Sequence, residues 1–167
     1  MSNGMKISPK IFLFVSPILV FLAASIIWFL ILAQTISFIM GFIVLDLFLF
    51  LMFWRGFLVS RRAGELFGLK SRKQIFIVSL GIALGFSELI WAISFMPFSF
   101  FILGGLLATI FAIVFNIFKE YFKQHQGLFA DSDKSDFKKI LTKNIVLGII
   151  LIIILISISS WLPPKTC

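Results

Sequence analysis

Long apolar runs, broken by short polar segments, set the pattern of this chain. Five runs stand out: 11–33, 36–54, 74–95, 98–118 and 144–161. Each is close to the roughly 20 apolar residues that a helix needs to cross the hydrocarbon core of a bilayer. The pattern therefore predicts an all-α membrane protein, a bundle of five transmembrane helices in a single domain over 1–167. Little more than Gln34 and Thr35 separates the first two runs, and Met96-Pro97 joins the third to the fourth. Both pairs are expected to form tight antiparallel hairpins.

Local signals sharpen the boundaries. Ser71-Arg72-Lys73-Gln74 is a capping-box pattern and places the start of the third helix. Pro17 predicts a kink in the first span or a helix start just beyond it. Pro163-Pro164 ends the fifth. The polar stretch Asp131–Lys139 is expected to open a short interfacial helix leading into the fifth span.

Charge gives the expected orientation. Of the fifteen Lys and Arg residues, only Lys165 lies outside the N-terminal segment and the two loops 55–73 and 119–143. Cytoplasmic loops carry such an excess of basic residues. The N-terminus is accordingly expected in the cytoplasm and the C-terminus outside. Arg55, Arg61, Arg62, Lys70, Arg72 and Lys73 in the first basic loop are candidates for contact with anionic lipid headgroups. Trp54 falls at the inner interface, and Trp28, Trp91 and Trp161 fall near the outer one, the depths Trp favours.

Composition agrees and excludes several classes. The chain is 60% hydrophobic and 13% charged, a balance that a soluble domain of this size could not bury. The net charge of +8 sits between apolar runs rather than along a groove, which argues against nucleic-acid binding. One Cys and one His build neither a disulfide framework nor a metal site, and no cofactor motif is present. Nucleophile–base arrangements and phosphate-binding loops are also missing, so the expectation leans away from an enzyme.

Two acids lie inside predicted spans, Asp46 and Glu88. A charged side chain at a helix centre costs about 2.5–3.5 kcal/mol on insertion scales. Intramembrane acids are therefore candidate functional groups. At about 1.5 Å per residue, Asp46 lies about 15 Å and Glu88 about 10 Å below the outer ends of their helices. They could meet as a pair sharing a proton if the second and third helices are neighbours. Trp91, one turn from Glu88, could roof a pocket there.

Small residues mark helix contacts in hydrocarbon, where close packing replaces the hydrophobic effect. Gly81, Gly85, Glu88 and Ala92 lie along one face of the third span, and Gly104, Ala108 and Ala112 along the fourth. With so short a connection, the two faces are expected to meet and to turn Glu88 into the bundle.

The stretch Glu88-x-x-Trp91 followed by Phe95-Met96-Pro97 resembles a pattern in an uncharacterised family of small multi-spanning bacterial membrane proteins. That resemblance covers mainly the third and fourth spans. It implies a multi-pass protein of the bacterial cytoplasmic membrane and brings no activity. The leading expectation is a non-enzymatic subunit or partner-binding component of a membrane complex. Its partners would be the bilayer and other membrane proteins or further copies of itself. The alternative is a small transporter or ion-conducting component using Glu88 and Asp46 as a protonatable pair.

Overall fold

A computed structural model describes residues 9–62, 71–96, 98–124 and 133–158. Five α-helices account for nearly all of them: α1 Pro9–Leu32, α2 Phe38–Arg62, α3 Arg72–Ser94, α4 Phe100–Gln124 and α5 Asp133–Ile158. The first four are long and apolar enough to cross a membrane. Large apolar side chains such as Ile26, Ile43, Leu84 and Ile153 point outward around the bundle. Such a surface suits contact with lipid rather than water. By helix hydropathy the chain is a multi-pass membrane protein.

Spatial order departs from chain order. α1 packs most extensively against α4, and α2 against α3; α3 and α4 barely touch. Glycine accounts for the α1–α4 contact. A Cβ on Gly104 would collide with the Ser25 hydroxyl and lie 3.2 Å from the Phe21 carbonyl oxygen. The partner of the α4 small face is thus α1, not α3 as the short connection suggested. Gly41 does the same for α2, which lies against Ile27 and Ile31 of α1. α5 runs antiparallel along α4, with Leu155 over Gly105 and Ile113 over Gly148.

The core centres on Phe53, fully buried where α2, α3 and α4 converge. Its ring lies 4.6 Å from Phe111, 5.4 Å from Phe86 and 6.1 Å from Phe115. Aromatic pairs at such separations add about 0.5–1.5 kcal/mol each beyond their buried area. Buried Phe57 and Phe115 continue the cluster, stacked at 5.5 Å, and Phe57 meets Phe122 edge-on. These contacts explain why α2 and α4 run beyond their predicted ends at 54 and 118, to Arg62 and Gln124. Packing, rather than hydropathy, carries both helices onward.

Other expectations are revised. Pro17 lies inside a continuous α1 and does not begin it. Trp28 is buried in the core beside Phe38, near the turn that joins α1 to α2. The polar stretch after Asp133 opens α5 itself instead of a separate short helix. Among the described residues of α5 the apolar stretch Thr142–Ser157 is short of an ordinary span. Lys70, Pro97, His125 and Trp161 lie outside the described residues.

Candidate functional site

The two acids are held differently. α2 and α3 are neighbours, and the Ser87 hydroxyl donates to Asp46 Oδ1 at 2.8 Å across their interface. The same hydroxyl lies 3.2 Å from the Ala83 carbonyl one turn back. Asp46 is half-buried there. Its partner is therefore Ser87, the residue beside Glu88 in the chain.

Glu88 faces outward. It is exposed, and it has no hydrogen-bond or ionic partner among the described residues. The expectation that packing turns it into the bundle is overturned by the position of its stripe. Gly81, Gly85 and Ala92 are exposed as well, and a Cβ on either glycine would meet nothing within 4 Å. Trp91 is 57% exposed and packs edge-on against Phe95.

What the glycines face is a lateral groove of about 580 Å³ between α3 and α4. Gly81, Gly85 and Phe86 form its α3 side; Ile110, Val114 and Phe118 form its α4 side. The groove exists because α1 draws α4 away from α3. By helix geometry Glu88 stands on the rim, on the stripe shared with Gly81 and Ala92. The α4 wall was visible as large apolar residues at helical spacing, but no sequence signal said that α3 would leave it uncovered. Ser87 could have been found as a hydroxyl one residue from a membrane acid.

The remaining small residues have other neighbours. Ala108 and Ala112 border a second cavity of about 200 Å³ among α1, α4 and α5, which Asn116 and Asn144 also line. Of the basic candidates, Arg55, Arg62, Arg72 and Lys73 are exposed and Arg61 is half-buried. Arg72 and Lys73 follow the Ser71 cap, where both capping-box bonds form at 3.1 Å. No group of His, Cys, Asp and Glu among the described residues could hold a metal ion. The arrangement therefore offers apolar packing surface and a single hydrogen-bonding acid at membrane depth. No protein-family model, curated protein or solved structure matches the chain.

Proposed function

We propose that this protein is a non-enzymatic component of a membrane complex that receives a transmembrane helix of another subunit in the α3–α4 groove. The observation that carries this reading is the open groove lined by Gly81 and Gly85, with Glu88 exposed on the same helix one turn beyond Gly85. Membrane acids ordinarily face a bundle interior or a water-filled cavity and find partners there. Small residues at four-residue spacing let another backbone approach closely. An incoming helix would cover the glycines and offer Glu88 a hydrogen-bonding group.

Three variants test it. Gly85→Leu should block the groove and release the partner in mild detergent, while the isolated chain unfolds as wild type does. Glu88→Gln, which keeps hydrogen bonding, should retain the partner, and Glu88→Leu should weaken it. Retention of the partner by Gly85→Leu would refute the docking role.

The Ser87–Asp46 bond supports one alternative, because it sets Asp46 and Glu88 at similar depth on neighbouring helices. A proton- or cation-conducting pair would lose a pH-dependent flux in Glu88→Gln without losing assembly.

The proposed topology has five spans, an N-terminus in the cytoplasm and a C-terminus outside, in a bacterial cytoplasmic membrane. Its support is the basic-residue split and the antiparallel course of α5 along α4.

A further inference from the structure

We propose that the subunit received by the α3–α4 groove is a second copy of this chain, which presents its own α3 across a twofold axis. The assignment rests on the docking role proposed above and names the partner. Gly81, Gly85, Glu88 and Ala92 are all exposed and lie along one face of α3. A Cβ on either glycine would meet nothing within 4 Å, so a neighbouring backbone can come close. Glu88 belongs to that face and has no hydrogen-bond partner among the described residues. Small residues four apart are the contact of helix pairs in hydrocarbon. A helix from a different protein would also need a hydrogen-bonding group at the depth of Glu88. A second copy supplies one by symmetry. An axis along the membrane normal sets every residue at the depth of its own counterpart, and twofold contacts of this kind are the commonest in oligomers. Glu88 then faces Glu88. A carboxyl that holds its proton is both donor and acceptor, so two of them bond to each other.

The same axis accounts for the groove. Around α3, the groove lies on one side of the glycines, toward Ile82 and Phe86. Ile77 and Leu84 lie on the other side of the stripe and are exposed. A twofold rotation brings that second side of one copy against the groove of the other. Ile77 and Leu84 of the second copy would then fill the space beside Ile110, Val114 and Phe118. Each α3 occupies its counterpart's groove, and the contact closes at two copies.

The test uses the full chain in its native membrane, with Cys167→Ser and one new cysteine at a time. Under a lipid-soluble oxidant, Gly81→Cys, Gly85→Cys and Ala92→Cys should each give a disulfide-linked dimer. Leu80→Cys, about 100° round α3 from Gly81, and Ile43→Cys on α2 should not. All five positions are exposed, so the thiols leave the packing intact. Self-association in liposomes, read by energy transfer between two labelled populations, should weaken roughly threefold in Glu88→Leu, and no more than about twentyfold. Glu88→Gln should stay near wild type. Dimers as abundant at Leu80 and Ile43 as at Gly85 would overturn the assignment. A photoreactive side chain at Gly85 that captures a different protein, with no disulfide-linked dimer from the stripe, would overturn it and leave the docking role standing. Capture of lipid alone would remove both.

Discussion

Gly104→Ala should loosen the bundle, and Gly85→Ala should not. On Gly104 the new methyl would lie 3.0 Å from the Ser25 amide nitrogen and 3.2 Å from the Phe21 carbonyl oxygen, and would collide with the Ser25 hydroxyl. The hydroxyl can rotate, but the two backbone atoms cannot. α1 and α4 must therefore separate by a few tenths of an ångström along their most extensive contact. Overpacking of this kind costs about 1–3 kcal/mol. Alanine's better helix propensity returns up to about 1 kcal/mol. Because two backbone atoms are in the way, the cost falls in the upper part of that range, about 2–3 kcal/mol, and the net loss should be about 1–2 kcal/mol. At Gly85 the methyl meets nothing within 4 Å, so only the propensity gain remains. The two variants should move in opposite directions. Equilibrium unfolding of the purified chain in mixed micelles, followed by circular dichroism, reads both. Equal stability of Gly104→Ala and wild type would refute the account of the α1–α4 contact. A loss at Gly85 as large as at Gly104 would show that α3 is packed where it is described as open.

Two further outcomes follow from the same contacts. Ser87→Ala removes the 2.8 Å bond to Asp46 and should cost about 0.6 kcal/mol, the average for hydrogen bonds between membrane helices, and no more than about 1.7. Adding Asp46→Leu to it should cost less than the two single losses together, and strict additivity in a double-mutant cycle would deny the coupling. A membrane-impermeant maleimide should label Cys167 on intact cells if α5 completes a fifth span; protection until lysis would place both termini on one side.

Hydropathy located the helices well because the cost of exposing backbone and charge to hydrocarbon is imposed residue by residue. The Ser71–Gln74 capping box was equally readable, since both partners lie within one turn. The tight turn at Gln34, the one non-glycine residue among those described with a positive φ (57°), lies where the polar break was seen. Neighbour relations were not readable in this way. The four-residue spacing of Gly104 and Ala108 revealed a contact face, but only the assembled bundle identifies Phe21 and Ser25 as what it meets. Chain proximity misled at α3 and α4, because a short connection fixes two helix ends and leaves their faces free to diverge. The same divergence left Glu88 on the outside. Asp46 was read as a possible partner of Glu88, yet a hydroxyl one residue away takes that place. The C-terminal ends of α2 and α4 escaped because Phe57, Phe115 and Phe122 extend the core beneath residues that hydropathy scores as polar.

Site-specific photo-crosslinking in the native membrane tests the docking role of the α3 groove most directly. A photoreactive side chain at Gly85 or Ala92 should yield a discrete protein adduct. The same group at Ile43, on an exposed face of α2 away from the groove, should yield lipid adducts alone. Lipid adducts alone from all three positions, or the same protein adduct from all three, would contradict the account.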